Sequence, residues 1–285
     1  MESAKLSRPH PEAEPETVDD SAAVREGQGA GVREIFTMWK YTKMVVLVAV
    51  TAASYAALTF MFKFLVIIPG ITELRPGAVI PVVFGLLFGP AGAWGAAFGN
   101  IIGDFGGTLG IGSVGGFVGN FFYGFLGYKV WGHMGLASSV EDLQIDSGKK
   151  AANFILISIL CSLACAEIIA WWLEVLKLYP FAAVGPIILF NNAAFCVVIG
   201  IPLMILLYRR LDQWDLVWYA IMDERDRPLG RIPKAGTFCI WVGVVGGFIV
   251  GVVLSAGFGT GAVTPSVAVG VAPFIITLII GCLLV

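Results

Sequence analysis

From Met44 onward the sequence repeats one pattern: an apolar run, a short break of glycine, proline or charge, then another run. A helix needs about 20 mostly apolar residues, at about 1.5 Å each, to cross a bilayer. Runs at 44–68, 151–178, 181–208, 237–255 and 263–285 meet that length. Three shorter ones, 77–88, 93–102 and 117–131, lie between the first two. Residues 77–88 reach only about 18 Å as a helix. The expectation is an all-α integral membrane protein with eight spans. Composition agrees. The chain is 58% hydrophobic and 13% charged, against about 25% charged in soluble proteins, and its mean hydropathy is +0.86.

Four regions follow. Residues 1–36 hold many acidic residues and three prolines but few bulky apolar ones, the pattern of a disordered acidic tail. It lacks the basic start and early apolar run of a signal peptide. Residues 37–210 carry six spans. Residues 211–236 are a charged linker, and 237–285 carry two additional helices.

Charge placement supports the even count. With the N-terminus inside, eight spans place eleven cations inside, from Lys40 and Lys43 to Arg231 and Lys234. Arg75 and Lys177 fall outside, with Lys63 near the outer end of the first span. Cytoplasmic loops collect Lys and Arg, so both termini are expected in the cytoplasm, in a plasma membrane.

Several chemistries are excluded. No basic stripe suits nucleic acid. The nearest string to a phosphate-binding P-loop, Ser147-Gly148-Lys149-Lys150, has Leu143 where the first glycine belongs. His10 and His133 are the only histidines, and the five cysteines lie in apolar stretches. Cys161 and Cys165, at i, i+4, read as packing residues rather than a metal pair. The chain is expected not to be an enzyme, and to use neither cofactor nor metal.

Small residues form ladders. Gly95, Gly99, Gly103 and Gly107 repeat every four residues, as do Gly243, Gly247 and Gly251. Such faces let helices approach closely in lipid. Ala49, Ala53 and Ala57 form a third ladder on the first span. It either packs inside the bundle or offers a smooth surface to another protein.

Polar groups inside a membrane mark function by default. The fifth span carries Glu167 and Glu174, with Trp171 and Trp172 between them. The sixth carries Asn191 and Asn192, the fourth Asn120 and Tyr123, and the third Asn100 and Asp104. Counted from the outer ends, Glu167, Asn191 and Asn120 lie about 16, 15 and 10 Å deep. A small polar ligand held there by a carboxylate, amides and an aromatic face is the expected site. Interhelical glue and interfacial anchoring are the plainer roles open to the same residues.

The run Glu73-Leu74-Arg75-Pro76-Gly77, then Phe88-Gly89-Pro90-Ala91-Gly92, then Gly99 and Gly103-Asp104 resembles the S components of energy-coupling factor (ECF) vitamin transporters. The folate- and pantothenate-type members are the most similar in this pattern. The resemblance implies a six-helix bundle over about residues 40–210 that binds a vitamin-like molecule from outside. It implies a transmembrane T component and two ATP-binding-cassette ATPases as partners, with Ala49, Ala53 and Ala57 facing the T component. Mapped onto this chain, it makes Glu73, Arg75, Asn120, Tyr123, Glu167, Trp171, Asn191 and Asn192 the substrate-binding candidates. Asp104 matches a recurrent position. The linker and last two helices depart from the pattern. A self-contained proton-coupled carrier using Glu167 or Glu174, and a non-transport assembly protein, are the rival readings.

Overall fold

The computed structural model describes residues 31–68, 72–137, 139–227, 230, 232–257 and 265–285. The chain is an all-α membrane protein. Its helices are α1 (Glu34–Thr37), α2 (Thr42–Met61), α3 (Val79–Phe88), α4 (Pro90–Asp104) and α5 (Gly112–Val130). They continue with α6 (Gly148–Val175), α7 (Phe181–Gln213), α8 (Trp218–Ile221), α9 (Pro233–Gly257) and α10 (Pro265–Leu284). Between α2 and α3 a small antiparallel ribbon pairs β1 (Val66–Ile68) with β2 (Thr72–Glu73). Among the described residues, five helices are long and apolar enough to cross a membrane.

The short second and third segments have a packing explanation. α3 is ten residues and α4 fifteen, about 15 and 22 Å of helix. Neither matches a bilayer core of about 30 Å. Every residue of α3 is buried, so its ends meet protein rather than lipid. Backbone that stops at membrane depth is tolerated there. The turn between them sits at Gly89, whose φ of 56° favours glycine. A Cβ at Gly89 would also come within 2.8 Å of Trp218.

Three rungs of the first glycine ladder, Gly95, Gly99 and Gly103, build the α2–α4 contact. Gly95 faces Thr51 so closely that a Cβ there would overlap it. At Gly99 a Cβ would lie 3.0 Å from the Tyr55 Cβ, and at Gly103 3.0 Å from Thr59. The second ladder builds the C-terminal pair. At Gly243 of α9 a Cβ would fall 2.7 Å from the Leu278 backbone of α10. Gly251 admits Phe181 of α7, since a Cβ there would fall 2.6 Å from its ring. The pair α9–α10 thus packs against α6 and α7. Trp171 Nε1 donates to the Ala268 carbonyl at 3.1 Å, and Ala182 N donates to Ser255 Oγ at 3.1 Å.

Most of the expected tail lies outside the described residues, but its last part does not behave as one. Glu34 is buried, 3.1 Å from Lys129 Nζ, and accepts from Tyr128 Oη at 3.2 Å. Gly31 N donates to the Leu283 carbonyl at 3.1 Å, and Trp94 Nε1 to the Ile35 carbonyl at 2.9 Å. Composition misses this because one buried partner, Lys129, offsets the cost of burying Glu34. The linker is likewise seated on the bundle. Trp218 is buried, Tyr41 Oη donates to Asp226 at 2.7 Å, and Arg227 pairs with Glu141 at 2.9 Å. Burial, together with Asp226, pushes the Tyr41 phenol up to about 12.

Candidate functional site

A cavity of about 410 Å³ opens between α2, α4, α5, α6 and α7. Its polar wall is one hydrogen-bonded chain. Tyr55 Oη donates to Asn120 Oδ1 at 2.9 Å. Asn120 Nδ2 donates to Asn100 Oδ1 at 2.9 Å and to the Gly116 carbonyl at 2.8 Å. Asn100 Nδ2 donates to Asp104 Oδ2 at 3.2 Å, and Thr108 Oγ1 to Asp104 Oδ1 at 3.1 Å. Arg75 reaches in from the segment after β2. Its Nη1 donates to Asn100 Oδ1 at 3.2 Å, and its Nη2 lies 3.9 Å from Asp104 Oδ1.

Helical spacing puts these groups together. Asn100 and Asp104, four apart on α4, share a face. Asn120 lies on α5 beside Gly116, where a Cβ would fall 2.6 Å from Asn100 Nδ2. The missing side chain makes room for the amide pair. The apolar wall comes from Cys165, Ile169 and Leu173, which follow each other at i, i+4 on α6, and from Ile188 on α7. The mouth is the loop 107–112. Gly107 there has φ 125°, a value that needs glycine. Trp172 Nε1 holds this loop to α6 by donating to the Ile111 carbonyl at 2.9 Å. Lys63 Nζ ties the end of α2 to this loop and to α4, donating to Thr108 Oγ1 at 2.7 Å and to the Gly103 carbonyl at 3.2 Å.

The expected site residues divide. Arg75, Asn120 and Asn192 line the cavity. Asn191 sits behind Arg75, its Oδ1 accepting from the Arg75 backbone N–H at 3.2 Å. Tyr123 is one layer back, its hydroxyl 3.1 Å from Cys196 Sγ and donating to the Asn192 carbonyl at 3.3 Å. The Glu73 side chain lies outside the described residues. Glu167 and Trp171 are turned away. Trp171 binds α10, and Glu167 is buried against Gly247 of α9 with neither oxygen hydrogen-bonded among the described residues. Depth along a helix does not give direction around it. Glu167 is two residues from Cys165, which is about 200° of helical rotation. Glu174 is structural in its contacts, with Oε2 accepting from Phe181 N at 2.6 Å at the start of α7.

Sequence reasoning did not place Tyr55, Cys165, Ser113 or the loop 107–112 at the site. Asn100 stood out only as a polar residue in an apolar segment, and Asp104 as that and as a position matched by the family resemblance. Their spacing on the glycine-laddered helix was the available signal. Tyr55 had none, since a lone tyrosine in an apolar run is ordinary. No group of three or more metal-ligating side chains occurs among the described residues.

Ala49, Ala53 and Ala57 are exposed on α2, whose buried face carries Thr51, Ala52, Tyr55, Ala56 and Thr59. Among the described residues, nothing of this bundle covers the ladder.

No match was found among curated proteins or solved structures. The sequence does match the QueT transporter family over residues 45–209, from the first turn of α2 to near the end of α7. The match supports the ECF S-component type but not the folate- and pantothenate-like subtype. A physical reason is at hand. The strings behind that resemblance mostly build the α3–α4 turn and the α2–α4 contact, and among their described side chains only Arg75 and Asp104 reach the cavity. They mark a scaffold rather than a ligand. With more than half its length matched, the chain belongs to the QueT transporter family, multi-pass membrane proteins of the S-component type.

Proposed function

We propose that this chain is the substrate-binding component of an ECF importer for a queuosine precursor, a base of the 7-deazaguanine type. The observation that carries the reading is the amide-lined cavity. Its volume of about 410 Å³ lies within the roughly 300–1,000 Å³ of small-molecule sites. Asn100, Asn120, Asn192, Arg75 and Asp104 offer both donors and acceptors, which suits the mixed edge of a fused heterocycle. The aliphatic wall of Ile169, Leu173 and Ile188 suits its flat face.

The cavity takes ligand from outside in this reading, and the basic loops face the cytoplasm. The charge bias along the sequence supports that orientation. A T component docks on the exposed Ala49, Ala53 and Ala57, and two partner ATPases supply the energy. The α9–α10 pair packs on α6 and α7, which favours a role beside this docking rather than in place of it. Domain limits at 37–210, 211–236 and 237–285 fit the same reading.

The test is calorimetric titration of purified, detergent-solubilised protein with 7-aminomethyl-7-deazaguanine and 7-cyano-7-deazaguanine. Saturable binding of either, and none of folate or pantothenate, is expected. Binding of neither base overturns the substrate reading. One observation favours a self-contained proton-coupled carrier: Glu167, a buried carboxyl without a partner among the described residues. It faces α9 rather than the cavity, which weighs against a role in substrate coupling.

A further inference from the structure

One side chain joins the cavity to the outer surface of α2. Tyr55 is the only residue of α2 that lines the cavity. It is 1% exposed, and its hydroxyl is bound to Asn120 Oδ1 across the bundle at 2.9 Å. Ala53 and Ala57 stand two residues before and after it. Two residues turn a helix by about 200°, so both alanines point away from the cavity. Both are exposed. A single turn of helix thus carries the ligand wall on one side and the alanine face on the other.

The contact behind Tyr55 has little slack. Gly99 of α4 approaches so closely that a Cβ would lie 2.9 Å from the Ala52 carbonyl and 3.0 Å from the Tyr55 Cβ. The next residue of α4, Asn100, and Asp104 one turn after it line the cavity. Packed interfaces of this kind shift as units rather than deform. The acceptors of the polar wall are also largely taken. Asn120 Oδ1 is engaged by Tyr55, and Asn100 Oδ1 by both Arg75 and Asn120. A ligand that hydrogen-bonds Asn120 or Asn100 therefore competes with the Tyr55 bond or re-aims the amides that hold it.

We propose that Tyr55 is a positioning residue that couples occupancy of the cavity to the alanine-bearing face of α2. The inference rests on the proposed function for its ligand. It adds a direction of signalling: a filled cavity presents a different α2 face from an empty one. By linkage, a partner seated on that face alters ligand affinity by the same factor as the ligand alters partner affinity.

The experiment uses the full chain with Ala53→Cys carrying an environment-sensitive fluorophore. Cys239, half-buried, is replaced by serine, while Cys161, Cys165, Cys196 and Cys282 are buried. Emission is read without ligand and at saturation with 7-aminomethyl-7-deazaguanine or its 7-cyano analogue, with affinity measured separately for each variant. The expected result is a saturable emission change in the Tyr55 protein and its loss in Tyr55→Phe at full occupancy. Reading at saturation removes any effect of weaker binding, and a purely structural role for Tyr55 does not predict a lost signal in a protein that still fills. A Tyr55 protein that binds but gives no change, or a Tyr55→Phe protein that keeps it, overturns the coupling alone. If Tyr55→Phe does not fold, the Tyr55 protein's own response decides. A Tyr55 protein that binds neither base overturns the substrate reading as well.

Discussion

Glu167 Oε1 occupies the space that a side chain at Gly247 would fill. The carboxyl of α6 is set into a notch on α9, with neither oxygen hydrogen-bonded among the described residues. Gly247→Ala is expected to destabilise the protein by about 1–3 kcal/mol, the usual cost of overpacking. Glu167→Ala in the same chain should return much of it, because residues in contact are non-additive by about 0.5–3 kcal/mol. Thermal unfolding of the four proteins in detergent measures the cycle. Substrate affinity should hold across it, since Glu167 points away from the cavity. Strict additivity would break the proposed contact.

Asn120 carries three hydrogen bonds in the cavity wall, to Tyr55, Asn100 and the Gly116 carbonyl. Asn120→Ala strands the Tyr55 hydroxyl in a buried place, at about 1–3 kcal/mol for an unsatisfied group, and leaves Asn100 Oδ1 with the Arg75 guanidinium as its donor. Substrate affinity should fall by about tenfold or more, at 1.4 kcal/mol per decade. Titration calorimetry checks it, and an unchanged Kd would move the site away from the amides.

How far the sequence was readable depends on the kind of information a position carries. Spans were legible because length and hydropathy are local properties. The glycine ladders were legible as close contacts because spacing fixes a helix face. What spacing leaves open is which neighbour the face meets. That is why Glu167 and Trp171 read as ligand groups while they meet α9 and α10. Tyr55 and Cys165 were silent for the opposite reason: their role comes wholly from which helices they face, Tyr55 meeting Asn120 of α5 across the bundle and Cys165 lining the same cavity from α6. Glu34 read as part of a polar tail because its partner, Lys129, lies 95 residues away.

The exposed alanines should separate transport from binding. Ala53→Leu with Ala57→Leu adds bulk to the outer face of α2, opposite Tyr55. In cells supplying the T component and ATPases, uptake of the labelled base is expected to drop to background. The purified double variant should bind the base as before. Normal uptake would place the partner on another face.

His133 gives a pH signature outside the membrane spans. It is half-buried beside Lys129, and burial, then the lysine charge, lowers its pKa below the usual 6.5. A lowered value means the folded state resists taking the proton that the unfolded chain accepts. The stability linked to His133 is therefore complete above about pH 6.5 and declines as pH falls below it. His133→Gln should flatten that part of the curve of unfolding temperature against pH. A variant whose acid decline matches the parent's would assign the decline to other groups.

The buried pair Glu34 and Lys129 makes the sharpest stability prediction. Both side chains are almost fully enclosed, 1% and 0% exposed, and their charges are 3.1 Å apart. Lys129 also donates to the Gly31 carbonyl, so the pair ties the segment before α2 to α5. Removing one partner of such a pair strands the other charge and typically costs about 3–5 kcal/mol. Glu34→Ala should therefore unfold well below the parent in a thermal scan in detergent. Glu34→Leu with Lys129→Met removes both charges and keeps the volume, and it should recover most of the loss, since apolar replacement of a buried pair is often neutral or stabilising. If Glu34→Ala melts with the parent, residues 31–37 are not docked on α5, and the segment behaves as the acidic tail its composition suggests.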